Sequence, residues 1–501
     1  MIKESEIISS NPWWADTKRI QNDPEIQTWE HSKLRIIPRI MHKIDYDFDT
    51  GGTRVYTLRG TRQIGKTTMI KLQIKKFLDD GKLPWNIFYC SFDLCRTPRE
   101  LVDAVESYRR ITQRMRDGSR CYLFLDEVTT IPNWQKGIKW LVDRDVIPNS
   151  TIMATGSDII DLRRAIERLP GRRGRVAEGH DKILLPLKFA EYASVLNRDI
   201  KELIDGNDLL SFQNRFAIFS SLTSGEISRT VEAVHMHQTT LDDLLWRYMY
   251  SGGVPSVMNA QDTACIIPEY VYNKYADGIQ GEWSRLGRNR DPLKRLGRAI
   301  VKSHGSHSSW SGMAQSADIG THKTVQDYVQ VLSDLFILVT FYGYNVKDKS
   351  PMFTRNKKIY FTDPFFFHLF NGWTRSAGYF DTSAKYMDCD DNKGSLVEGI
   401  VANHLTRLAF NAARNKQDFD PHYRLFYYVE DGKEVDFVYY DGEGIEVPIE
   451  VKYRNKVTKD LAGMYKFISK TGNKGLVISK DRLDARPEYV MIPASVFLLL
   501  V

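Results

Sequence analysis

The segment Gly60–Thr67, GTRQIGKT, sets two glycines, a lysine and a hydroxyl residue in the spacing G-x-x-x-x-G-K-[ST], after the apolar run RVYTL and before the segment TMIKLQIKKFL. A strand that ends in a tight turn and restarts as a helix leaves few folds open. The loop N–H groups and the positive helix N-terminus then form one anion-binding concavity. Gly60, Thr61, Arg62, Gln63, Ile64, Gly65, Lys66, Thr67 and Thr68 are expected around the phosphates of a nucleotide. Lys66 is placed to bridge the β- and γ-phosphates, and Thr67 to offer its hydroxyl to Mg2+.

The flanking pattern supports this. Between residues 54 and 190, continuously apolar runs (NIFYCSFD, CYLFLDEV, STIMATGS, KILLPL) alternate with helical stretches, which predicts a doubly wound α/β domain with a parallel sheet buried on both faces. CYLFLDEV ends in Asp126 and Glu127. The aspartate is placed to hold the metal's water shell, and the glutamate to orient or deprotonate an attacking water; the rival role for Glu127 is a helix cap or a solvated charge. Thr155 and Ser157 end the next strand, where a hydroxyl senses the γ-phosphate or simply closes a turn. Arg172, Arg173 and Arg175 lie on the Pro/Gly turn LPGRRGR, either as a finger at a neighbour's nucleotide or as solvated surface.

At 501 residues the chain calls for more than one core, and we expect divisions at 1–190, 191–285, 286–385 and 386–501. An apolar share of 42% with 27% charged residues excludes wholesale disorder. Five cysteines, at 90, 95, 121, 265 and 389, form neither a disulfide framework nor a zinc-ligand spacing, and no apolar run reaches membrane-spanning length. A soluble, cytoplasmic protein is expected. The net charge of +7 is small, but residues 285–302 carry seven basic side chains against one acidic, and 163–175 six arginines against Glu167. Each run reads as a solvated helix face or as a contact with polyanions.

From about 190 to 345 the pattern is helical. WSGMAQSADIGTHKTVQDYVQVLSDLFIL predicts a helix, a turn at Gly320, a second helix with Val325, Val329 and Leu332 on one face, then a strand, and the next 27 residues could supply a β-wing. A ligand-free three-helix unit explains the same periodicity. His322, Lys323, Gln326 and Gln330 are the polar residues of the second helix suited to phosphate or base-edge contacts. The last 110 residues read as a compact α/β unit with carboxylates on strand ends. Asp436 falls in KEVDFVYY, Glu450 and Lys452 share one face of PIEVKYR, and Glu398 lies in the helix LVEGIVANHL. Together they could hold one or two Mg2+ and a water, with Lys452 lowering that water's pKa. The rival is a strand edge with solubilising charges. His404 and His422 read as packing or surface histidines.

The set GTRQIGKTT, LFLDEV, ATGS, PGRRGR, PLKFAEY and YSGGVPSVM resembles the AAA-type ATPases of bacteria and archaea related to the STAND NTPases. That resemblance implies ATP and Mg2+ as ligands, Ser157 as a sensor, an arginine finger among residues 172–175, and a homo-oligomer, with a ring as one form. It also implies a helical lid containing GGVP and a winged helix. The trio Asp436, Glu450 and Lys452, with Glu398 as helical acid, resembles the PD-(D/E)XK nuclease core, although Val435 stands where that family's name places proline. The expected function is a Mg2+-dependent ATPase acting on DNA, structure-selective, with a nuclease-like domain that binds or cuts. The alternative is a nucleotide-controlled switch with protein partners and an inactive nuclease fold.

Overall fold

The computed structural model describes residues 2–44, 46–47, 52–156, 180–375, 377–414, 416, 419–454 and 461–501. They divide into two compact units, one ending at Leu185 and the other beginning at Pro186.

In the first unit, strands β1 (Arg54–Gly60), β2 (Ile87–Ser91), β3 (Cys121–Asp126), β4 (Ser150–Thr155) and β5 (Asp181–Leu184) form one sheet in the order β2-β3-β4-β1-β5. Every pairing is parallel. All six residues of β3 and of β4 are buried, as strands covered on both faces require. Helices Lys66–Asp79, Pro98–Thr112 and Trp134–Asp143 follow β1, β2 and β3. The second begins with a reciprocal cap between Thr97 and Glu100 and with Pro98 in its first turn, where no N–H is needed. With β4 inserted between β1 and β3, the C-terminal ends of these three strands open on one edge of the sheet, where such folds hold ligands.

The N-terminal residues close the sheet's free side. The Asn11 amide donates to Tyr89 O at 2.9 Å, and Tyr89 N donates back to the Asn11 side-chain oxygen at 2.7 Å, so one side chain takes the place of a neighbouring strand along β2. The indoles of Trp13 and Trp14 both donate to Ile87 O, and Trp14 stacks on Trp85 and Tyr108.

The second unit begins with helices and ends in an eight-stranded mixed sheet. Its strands are β6 (Leu338–Asn345), β7 (Ser350–Phe361), β8 (Leu425–Glu430), β9 (Lys433–Tyr440), β10 (Glu446–Lys452), β11 (Gly475–Ser479), β12 (Asp484–Ala485) and β13 (Tyr489–Pro493). They run in the order β12-β13-β11-β10-β9-β8-β6-β7. Helices Arg290–Lys302, Trp310–Ser316 and His322–Asp334 precede the β6–β7 hairpin, with Val325, Val329 and Leu332 buried on one face and the Thr321 hydroxyl accepting from Thr324 N.

The hairpin differs from a free wing. β6 pairs in parallel with β8 through Tyr342 opposite Phe426 and Gly343 opposite Tyr427, so residues on either side of the expected 385/386 division share one sheet. The YSGGVP motif meets that hairpin's far end, where buried Asp363 accepts from Gly253 N at 2.9 Å and from Phe365 N at 3.0 Å. Strand β13 and helix Ala494–Leu500 stand in a terminal apolar run whose period reads equally as strand or buried helix. Among the described residues no helix is long and apolar enough to cross a membrane.

Candidate functional site

The loop after β1 is shaped by its glycines. A Cβ on Gly60 would stand 2.4 Å from Leu184 O of neighbouring β5, and Gly65 sits at φ +100°, with Gln63 also left-handed at +63°. Such left-handed positions turn successive N–H groups toward one concavity. Lys66 is buried and folds back along the loop, donating to Gly60 O at 3.1 Å and to Thr61 O at 3.3 Å. The Thr61 hydroxyl is buried and finds no hydrogen-bond partner among the described residues, which suits a loop built to receive phosphate oxygens.

Across the crevice stands Asp126, 2% exposed at the end of β3. Thr67 donates to Oδ2 at 2.9 Å, Tyr89 to the same oxygen at 3.2 Å, Thr155 to Oδ1, and Glu127 N to Oδ1 at 3.2 Å. Thr67 and Asp126, each expected at one metal ion, thus stand in hydrogen-bond contact, and Thr155 joins them. Glu127 takes a left-handed backbone, φ +52°, which turns the chain out of the strand line directly after Asp126.

The N-terminal segment reaches this site as well, a contribution that motif spacing does not signal. The Lys71 ammonium lies 3.4 Å from the Tyr89 ring centre and 3.1 Å from Asp23, and Thr68 donates to Glu25. Burial lowers the Lys71 pKa against the pull of Asp23, and burial followed by the charge of Asp126 raises that of Tyr89. Tyr89 therefore stays a donor. Ser157, Arg172 and Arg173, with Arg175, lie outside the described residues.

The second constellation lies in the second unit. Glu450 and Lys452 share a face of β10, with Nζ 3.1 Å from Oε2, and Asp436 on neighbouring β9 accepts from Val451 N at 2.9 Å through Oδ2. Glu450 is 1% exposed, its carboxylate enclosed beside the Lys452 ammonium. Glu398 projects from helix Asp390–Ala412 and accepts from Tyr360. The four residues expected from sequence spacing thus lie in one cluster.

It missed the fifth. Lys358 of β7 is 2% exposed, with Nζ 3.0 Å from Glu398, 2.5 Å from Glu434 and 3.4 Å from Asp436. Although β7 is three strands from β9 in sheet order, the long Lys358 side chain spans the distance to Asp436. The signal was NKKIYF, a lysine pair entering an apolar strand, since a lysine buried there requires acidic partners.

The charges follow this geometry. Burial and then the Asp436 carboxylate push Glu450 upward, and burial raises Glu398 to about 7 against the opposing pull of Lys358. Burial would raise Asp436 too, but Lys358 and Lys452 together hold it at about 2. Lys358 remains cationic: burial lowers its pKa, and the surrounding carboxylates more than reverse that. Among the described residues no three His, Cys, Asp or Glu side chains are grouped to hold a metal. A cation here would have two carboxylates, Asp436 and Glu450, with water or phosphate oxygens completing its shell. The buried carboxylate of Glu450, set one strand from Asp436, fits that role.

His404 and His422 are structural. His404 is fully buried, its Nδ1 2.9 Å from Ile400 O and its Nε2 accepting from Phe189 N, while His422 pairs with Asp420 at 2.8 Å. On helix Arg290–Lys302 the basic residues Arg290, Arg295, Arg298 and Lys302 are exposed opposite a buried apolar face.

Residues 52–193 match the family model described as an AAA domain. Residues 242–377 and 393–497 match two further models, described as domains of unknown function DUF8612 and DUF4143. An uncharacterized protein of Methanocaldococcus jannaschii is 22% identical over 415 residues, 80% of this chain and 76% of its own. Among solved structures, the Walker-type ATPase of Pyrococcus abyssi aligns with TM-score 0.36 and 13% identity, over 63% of this chain and 90% of that one. The ORC1 protein of Aeropyrum pernix in complex with DNA aligns with TM-score 0.28 and 11% identity, over 74% and 97%.

Proposed function

With an AAA-type, nucleotide-binding P-loop domain in residues 52–193 as premise, we propose that this chain is a Mg2+-dependent ATP hydrolase that acts on DNA. The observation that carries the reading is the hydrogen bond of Thr67 to Asp126, which brings the loop hydroxyl and the strand-end carboxylate to one point beside the phosphate cradle. Thr67 and Asp126 would hold Mg2+ there, and the ion would neutralise charge developing on the phosphoryl oxygens. Lys66, which now donates to loop carbonyls, turns its ammonium to the β- and γ-phosphates. Thr155 and Tyr89 keep Asp126 in place. Glu127 accepts the proton of the attacking water. Glu127→Gln is expected to retain ATP while losing turnover in a phosphate-release assay, and unchanged turnover would remove this assignment of the base.

DNA as partner rests on the basic, exposed face of Arg290–Lys302 and on the helix–turn–helix–hairpin order that follows it. Phosphate-backbone contact without base reading favours branched or ended DNA over a particular sequence. Assembly into a homo-oligomer, with Arg172 or Arg173 reaching a neighbour's nucleotide, belongs to the same proposal. Negligible affinity for duplex, single-stranded and branched DNA in low salt would end the DNA reading.

The C-terminal cluster is a nuclease-like centre, with Asp436 and Glu450 as metal ligands, Lys452 as the charge stabiliser and Glu398 as the helical acid. Lys452→Ala should silence metal-dependent cleavage and leave ATPase intact. One observation favours the alternative of a nucleotide-controlled switch with an inactive nuclease fold: Lys358 already sits among these carboxylates.

A further inference from the structure

Asp436 stands between two cation positions. Its Oδ1 is 3.4 Å from the Lys358 ammonium, which also meets Glu398 and Glu434. Its Oδ2 side faces β10, where the buried Glu450 carboxylate lies against the Lys452 ammonium. A carboxylate shared in this way between two cations is the arrangement of a two-metal phosphoryl-transfer centre. We propose that Lys358 is the resident cation at one of the two positions, so that the cluster takes a single divalent metal ion, held by Asp436 and Glu450.

The inference rests on the nuclease-like reading of this site and names its metal count. An ammonium has three N–H donors, and Lys358 meets three carboxylates, so its bonding capacity is filled at that position. Charge balance agrees. Burial favours protons on Glu398 and Glu450; when a metal ion displaces them, four carboxylates, Glu398, Glu434, Asp436 and Glu450, face two ammonium groups, Lys358 and Lys452, and leave two negative charges, which one divalent ion cancels. His307, 3.5 Å from Glu434, adds little charge because burial opposes its protonation. A second divalent ion would be an uncompensated charge in a buried pocket. Lys358 is thus a positioning residue. It holds Asp436 and Glu398 as a metal would, with no exchangeable ligand positions.

The test is Mn2+ binding to the full chain without nucleotide, followed by calorimetry and electron paramagnetic resonance, in an Asp126→Asn background so that the P-loop contributes no ion. One Mn2+ per chain is expected at this cluster, and Asp436→Asn should abolish it. Lys358→Met should bind two ions per chain, or bind the first at least tenfold more tightly. Two ions in the chain that keeps Lys358, with spin–spin coupling between them, would overturn the inference while leaving the nuclease-like reading intact. So would a folded Lys358→Met chain that still binds one ion with unchanged affinity. Absence of Mn2+ binding with Lys358 in place would sink the nuclease-like reading and this inference with it. If Lys358→Met fails to fold, the stoichiometry of the chain that keeps Lys358 decides alone.

Discussion

Asp126 and Asp436 are both buried aspartates on strands, yet they are satisfied by opposite means. Asp126 accepts from the hydroxyls of Thr67, Thr155 and Tyr89, all neutral donors. Asp436 is flanked by the ammonium groups of Lys358 and Lys452. A carboxylate fixed by hydroxyls keeps its full charge for a cation that arrives with a nucleotide. One fixed by ammonium groups is already largely neutralised, so its site is permanently assembled and accepts less additional positive charge. The first centre is built to respond to a ligand, the second to stand ready without one.

The largest expected effect tests the responsive centre. Lys66→Ala should lower ATP turnover by roughly a thousandfold, since a preorganised cation at the transferring phosphate is lost, and leave Mn2+ binding at the C-terminal cluster unchanged. Next, Lys358→Met should destabilise the second unit by about 3–5 kcal/mol in urea unfolding, because it leaves buried carboxylates unpaired. Asp126→Asn should cost the first unit only about 1 kcal/mol, since the carboxamide oxygen still accepts from Thr67 and Tyr89 while its NH2 donates to the Thr155 hydroxyl. Equal costs would erase the distinction drawn here.

A pH series sharpens the contrast further. Burial lowers the pKa of His368 to about 4, so below about pH 6.5 the unfolded chain binds a proton there that the folded chain does not. Stability from this group is complete above that pH and is lost as the pH falls toward 4. Relative to His368→Gln, the chain with histidine should therefore lose up to roughly 3 kcal/mol over that range, read from urea midpoints. Asp363, which burial holds up at about 6, works in the opposite direction in both chains and cancels from the comparison. The smallest effect is that of Tyr89→Phe, which removes the longest of the three hydroxyl bonds to Asp126 and should cost about 0.5 kcal/mol, with a modest rise in the Mg2+ needed for half-maximal ATPase.

The two centres also differ in how far they could be read from the chain. The P-loop, Asp126 and Thr155 are legible because each lies at a strand's C-terminal end, and a parallel sheet aligns those ends whatever the strand order. Tyr89, Lys71 and Asp23 are not, because their meeting depends on the packing of an N-terminal segment with no motif of its own. In the second unit, Glu450 and Lys452 follow from period-two geometry within one strand. Lys358 required knowing that β6 pairs in parallel with β8 across some 80 residues of sequence, a non-local contact that no local pattern encodes. The same pairing turned an expected free wing into the continuation of a sheet.

That continuity breaks at one place. Residues 353–356 of β7 are exposed, and the next residues of the same strand, from Lys357 onward, are buried. The pairing register jumps across this stretch, with Met352 opposite Gly343 and Lys357 opposite Tyr342, so the four residues form a bulge that ends beside the buried Lys357–Lys358 pair. Whatever binds that bulge therefore sits two residues from the ammonium that the acidic side chains surround.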